Sequence, residues 1–248
     1  MLMRIVVHHA YFLPWLGYFS KLEFADVLVV LDDVGFRRNY IKRVRIFDNA
    51  GAVSWIGAPV GNNWSTPCNV ITLPHETIYI KKLLRLLFYS YKHAQHFEEE
   101  YPRISEIIRN GLLGHEKLVD ADMYMFMELR RHMCLPPKEI LLSSVLAAST
   151  ERTLRILDIC KRIGATELLM GDGQMADIHD LNELKSGGVK LFRQEFSQLH
   201  PVYRQLHSDQ QGIPFVPGLS VIDALLNVGS SAVASLITNV ELRPNLIG

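Results

Sequence analysis

The chain has 248 residues, enough for one large domain or two small ones, and its 26 Lys and Arg balance 26 Asp and Glu. That balance excludes a broadly basic nucleic-acid surface and leaves only a local basic patch open. Apolar residues make up 48% and charged residues 21%, which excludes disorder, collagen and coiled coil. No window approaches 18 uninterrupted apolar residues, so no membrane span is expected. The first apolar stretch is broken by His8, His9 and Pro14 with no small-residue cleavage site after it, so no secretory leader is expected. Cys68, Cys134 and Cys160 are odd in number, far apart and without a CxxC pair. They fit neither a disulfide framework nor a zinc site, and a cytoplasmic compartment is expected.

In chain order, MRIVVHH reads as a buried strand, WLGYFSKLEFA after Pro14 as a helix, and Val27 to Leu31 as a second buried strand. Strand, helix and apolar strand together predict a parallel βαβ unit. The Asp48-Asn49-Ala50-Gly51 turn, set between two apolar-rich runs, predicts a β-hairpin. From about 76 to 135 the period is helical in three segments, with the second opening at Ile104; the block reads as a helical insertion or subdomain. Glu139 to Leu142 is expected to be a strand, and Thr150 to cap a helix that Gly164 stops. ELLMG and VKLF follow as strands and LSVIDALLNVG as a late helix. The expected architecture is one α/β domain over residues 1–248: a mainly parallel, Rossmann-like sheet with a β-hairpin and a helical insertion.

Three constellations carry chemistry. The loop after the first strand gathers His8, His9, Tyr11 and Trp15 where ligands collect at the carboxyl ends of parallel strands. Adjacent imidazoles point to opposite sides of a strand, and His8 is taken as the one facing the site; Tyr18 and Phe19 are read as core anchors. Next, Asp32 and Asp33 close the second strand before five cations, Arg37, Arg38, Lys42, Arg43 and Arg45. Guanidinium forks suit phosphate or carboxylate ligands, and Arg43 and Arg45 share a strand face. Last, Gly171 to Ala176 fits G-x-G-x-x-A after a strand, but Asp172 puts a negative charge where a pyrophosphate belongs. A polar loop offering Asp172, Asp177 and His179 to a substrate is the simpler reading. Ser220 and Asp223 read as a helix-capping box, and His93 with His96 lacks a third metal ligand.

On these residues the sequence resembles the WbqC-like family, proteins associated with bacterial O-antigen and other surface-polysaccharide gene clusters. The family's H-Q-P-N-Y-L-P-W-x-G-Y-F pattern stands here as His8 to Phe19, its D-D-V-x-F as Asp32 to Phe36, and its R-x-R-I as Arg43 to Ile46. Ser143-Ser144, Thr150-Glu151-Arg152, Gly171 and Leu219 to Asp223 match in order. His9, Ala10 and Tyr11 depart from the family's Gln, Pro and Asn. The resemblance implies a pathway setting and no mechanism. A fainter similarity to adenylyl-transferring enzymes fails at Trp15 and Tyr18, which stand where two phosphate-binding histidines belong.

The expected function is a group transferase, acyl or aminoacyl in type, acting on a sugar or amino-acid building block of surface-polysaccharide or related biosynthesis. His8 is the expected general base and Asp33 its orienting group or an amine ligand. His9, Tyr11, Trp15, Arg38, Arg43, Arg45, Asp172, Asp177 and His179 are the expected substrate-binding residues. The alternative is a non-catalytic protein that binds or senses a nucleotide sugar. An NAD-dependent oxidoreductase rests on Gly171 to Ala176 alone and comes last. No cofactor or metal is assigned. The expected partner is a small molecule, a nucleotide sugar or acyl donor, with exposed parts of the helical block available to a second copy.

Overall fold

The computed structural model describes residues 2–35, 41–61, 66–74, 76–173 and 178–247. Strand β1 (Arg4–His8) leads into α1 (Leu16–Glu23) and β2 (Val27–Val30), which pairs parallel to β1 from Ile5↔Val27 to His8↔Val30. The apolar run of β2 is buried along its whole length, as a strand covered on both faces must be. The hairpin β3 (Arg43–Phe47) and β4 (Val53–Gly57) forms a separate antiparallel pair. Its turn is built by Asp48, whose carboxylate accepts from the amides of Ala50 (2.9 Å) and Ala52 (3.0 Å), while Gly51 takes φ +76°.

Helices α2 (Thr77–Tyr91), α3 (Phe97–Gly114) and α4 (Leu118–His132) form the helical block. Helix α3 starts about two turns before Ile104, where the segment was expected to open, and runs through Pro102. Pro102 and Glu98 are exposed, so the carbonyl that loses its partner faces water. Glu98, Glu99 and Glu100 also complement the N-terminal end of the helix dipole. The chain then passes through β5 (Glu139–Leu142), α5 (Ser143–Leu146), α6 (Arg152–Ile163), β6 (Glu167–Gly171), α7 (Leu181–Ser186) and β7 (Lys190–Gln194). It finishes with α8 (Leu206–Gln211), α9 (Val221–Val228), α10 (Ser230–Ile237) and the short β8 (Asn245–Leu246). Among the described residues no helix is long and apolar enough to cross a membrane.

The main sheet runs β5-β2-β1-β6-β7-β8, with all pairs parallel except β7 with β8. The order doubles back between β1 and β6, so a crevice opens at their carboxyl ends. One face of the sheet packs on α6 and α7 through Ile156, Ile159, Cys160 and Leu184. The other packs on α1, the helical block and α9 in one continuous hydrophobic cluster.

Two caps differ from the sequence reading. Glu151, not Thr150, caps α6 by accepting from the Leu154 amide at 2.7 Å, and its longer arm reaches the third helical position. Gly164 ends that helix at φ +71°. Ser220 caps α9 through the Ile222 amide (3.3 Å), but no box closes. Asp223 is buried and instead accepts from Tyr91 (3.0 Å), Tyr203 (2.7 Å) and Gln205 (3.0 Å), which lock the helical block onto α9.

Candidate functional site

His8 stands at the carboxyl end of β1, partly buried, with its ring edge-on to Tyr18 at 5.2 Å and tilted to Tyr11 at 5.4 Å. Nδ1 lies 3.2 Å from the carbonyl of His9, a contact in which the imidazole must donate. The neutral ring therefore carries its proton on Nδ1 and its lone pair on Nε2. Burial, the nearby Lys21 and then His9 hold the pKa of His8 well below the ordinary imidazole value, against a smaller upward pull from the carbonyl. At neutral pH this histidine is uncharged and able to accept a proton. The Tyr18 hydroxyl donates to the same carbonyl at 3.0 Å, and burial keeps it protonated.

One ring away, a cavity of about 400 Å³ is lined by Tyr11, Trp15, Arg43, Arg45, Trp55 and His200, among others. Its walls come from three separate parts of the chain. Trp15 precedes α1, lies nearly parallel to His200 at 6.2 Å and meets Phe196 edge-on at 5.2 Å. The Arg43 guanidinium stacks over Trp55 at 4.2 Å. Arg45 is held by the carbonyls of Pro217 (3.0 Å) and Gly218 (3.3 Å). Gly218 has φ +70°, and a Cβ there would lie 2.8 Å from the Arg45 guanidinium, so only glycine gives this approach. Ser220 joins the walls: its amide donates to Arg45 at 2.9 Å and its hydroxyl to Leu13 at 2.8 Å. Two guanidinium groups beside two indoles suit an anion that carries a flat ring.

The structure thus brings Tyr11, Trp15, Arg43 and Arg45 to one cavity, with His8 next to it through Tyr11. Asp172 reaches the cavity wall by accepting from the amide of Ser197 at 2.5 Å. His9 contributes its carbonyl, as described above. Asp33 lies elsewhere: its carboxylate accepts from Arg155 at 2.7 Å and from Ser143, and no contact joins it to His8. Asp32 accepts from the amide (2.9 Å) and hydroxyl (2.6 Å) of Ser144. Together the two carboxylates pin α5 and α6 to the end of β2. His179 sits against the start of α6, where burial and Arg152 lower its pKa despite Glu151. Arg38 and Asp177 lie outside the described residues, as do Gln174, Met175 and Ala176 of the glycine-rich fingerprint.

Five residues were missed. Trp55 faces Arg45 in the hairpin register, a pairing the Asp48-to-Gly51 turn already implies. Ser197 and His200 come from an irregular segment after β7 with no periodic signal. Lys21 stands one helical turn beyond Tyr18, a lysine in an otherwise buried helix. Asp122 of α4 is fully buried, neither oxygen has a hydrogen-bond partner among the described residues, and desolvation raises its pKa well above the ordinary carboxylate value.

The sequence model of the WbqC-like protein family matches residues 9–235. The "Uncharacterized protein Rv1507c" of Mycobacterium tuberculosis is 24% identical over 239 residues, covering 92% of this chain and 95% of its own length. No solved structure matches.

Proposed function

The chain belongs to the WbqC-like protein family, and we propose that it is a group transferase that moves an acyl or aminoacyl group onto a sugar or amino-acid building block. In this reading Nε2 of His8 takes a proton from the acceptor amine or hydroxyl as it attacks the donor carbonyl. The bond to the donor's leaving group breaks, an amide or ester forms, and the leaving group departs with the proton. Arg43 and Arg45 hold a phosphate or carboxylate of the donor or acceptor, and Trp15 and Trp55 cover its ring. The observation that carries the reading is the pairing of a neutral, tautomer-fixed His8 with the cationic, indole-walled cavity one ring away. The parallel strands, ranked in chain order, run 3-2-1-4-5, which supports a Rossmann-like sheet with its ligand at the switch point. A surface-polysaccharide setting in the cytoplasm is part of the proposal.

The second reading, a nucleotide-sugar binding protein without turnover, draws on Asp33. With the Asp33 carboxylate committed to Arg155 and Ser143, His8 has, among the described residues, no acidic partner of the kind a typical histidine base has. His8→Gln tests the first reading. The expected result is a loss of kcat of at least ~100-fold with KM and melting temperature nearly unchanged. Parallel loss of melting temperature and activity would make His8 a structural residue.

A further inference from the structure

Helix α1 is buried along most of its length, and Lys21 leaves its last turn toward the carboxyl ends of β1 and β6. Gly171, the last residue of β6, makes room for it. A Cβ at that position would lie 2.9 Å from Nζ and 3.3 Å from Cε, so the lysine head fills the place of a side chain. This accounts for the glycine that the dinucleotide fingerprint would otherwise claim: its open face is occupied by a cation of the chain itself.

To the described residues Nζ donates no hydrogen bond. Its electrostatic neighbours are Asp172, which favours the charge, and His8, whose protonation it opposes. Burial lowers the lysine pKa to about 8, so the ammonium form prevails at neutral pH. An ammonium carries three donors and no acceptor, and half-buried Lys21 spends none of them on the described residues, so they are open to water or to a ligand. Asp172 offers charge but spends one oxygen on the Ser197 amide at 2.5 Å. Ser197 in turn lines the cavity, so Lys21, Asp172 and Ser197 lead from the strand ends to the cavity wall.

We propose that Lys21 forms an anion subsite at the end of β6, taking an oxygen of a phosphate or carboxylate borne by the ligand whose ring lies against Trp15. The subsite differs in origin from the Arg43–Arg45 wall: those guanidinium groups come from the hairpin, Lys21 from the first βαβ unit. It rests on the transferase reading for a ligand in the neighbouring cavity, and supplies that ligand with a cation beside His8.

The test is trace acetylation of the whole chain by acetic anhydride at pH 8, located by peptide mass spectrometry, with inorganic pyrophosphate or succinate as the anion. At that pH the neutral fraction of Lys21 exceeds that of an ordinary exposed lysine by roughly 100-fold, so it labels early. Protection of at least fivefold by one anion is expected, pyrophosphate marking a phosphate source and succinate a carboxylate source. Lys21→Met should then weaken that anion at least tenfold by calorimetry, with Lys21→Arg recovering part of the loss. In Lys21→Met the His8 ring should also titrate at higher pH by NMR, because a repelling charge has gone. Equal labelling of Lys21 with and without both anions overturns the subsite, as does unchanged affinity in Lys21→Met or an unmoved His8. The labelling arm uses the unmodified chain, so it decides the matter even if Lys21→Met misfolds. Protection without turnover on any acyl donor would remove the transferase reading and leave the subsite; turnover with unprotected Lys21 does the reverse.

Discussion

Arg130 of α4 is 2% exposed, and its guanidinium donates to Glu23 at the end of α1 (2.5 Å) and to the Pro136 carbonyl (2.7 Å). The Glu23 side chain is itself 6% exposed, so this is a buried ion pair between the helical block and the helix that carries Tyr18 and Lys21. Arg130→Met keeps much of the volume but strands the Glu23 carboxylate without a partner. Breaking a buried pair on one side costs about 3–5 kcal/mol. At roughly 2–4 °C per kcal/mol for a chain of this size, melting falls by about 6–20 °C. Replacing both partners, Glu23→Leu with Arg130→Met, removes the stranded charge, and only the Pro136 carbonyl is left unpaired. That residual cost of about 1–3 kcal/mol is offset by relief of the pair's own desolvation, so the double variant should lie near the parent. Urea denaturation followed by circular dichroism measures all three proteins. The reasoning fails if Arg130→Met loses less than about 1 kcal/mol, or if the double variant is no more stable than the single.

Other perturbations read the site more directly. Asp122 keeps its proton in the fold to higher pH than in the unfolded chain, so its contribution is intact below the unfolded carboxylate pKa and is lost as pH rises toward the folded one. Asp122→Asn should therefore match the parent at pH 4 and exceed it at pH 7, gaining about 1.4 kcal/mol per pH unit between the two pKa values; a difference independent of pH would contradict this. A methyl group on Gly17 would lie 2.5–2.8 Å from three atoms of the Trp15 indole, so Gly17→Ala must displace that ring. Ligand affinity should drop about tenfold, roughly 1.4 kcal/mol, with a shift in tryptophan emission; a helix gain in stability with unchanged affinity would refute the placement of Trp15. Because His8 titrates below the ordinary value of 6.5, the acid limb of kcat/KM should fall below that pH. A limb at or above it would assign the base elsewhere.

The elements were legible where local pattern and tertiary need agree. The apolar runs of β1 and β2, the Asp48-to-Gly51 turn and the Gly164 stop all specify backbone geometry within a few residues. The cap slipped by one position, from Thr150 to Glu151, because the longer acid reaches the Leu154 amide from one residue further on. The cavity was half legible: Tyr11, Trp15, Arg43 and Arg45 sit in patterned segments, whereas His200 and Ser197 come from irregular chain whose position depends on tertiary contacts. The surroundings of Asp33 were not legible, since its partners Ser143 and Arg155 lie 110 and 122 residues away in sequence. Lys21 and Asp122 look like ordinary helical charges until packing buries Lys21 in part and Asp122 completely.

The central claim is transfer, and mass spectrometry of the small molecules tests it most directly. Purified protein is incubated with an amino-sugar nucleotide, free amino acids and acyl-coenzyme A, and each component is weighed before and after. The account predicts that one acceptor gains the mass of the acyl group as free coenzyme A appears, and that His8→Gln abolishes both changes. Ligands that bind, protect Lys21 and return unaltered would contradict it, and would make the cavity a receptor.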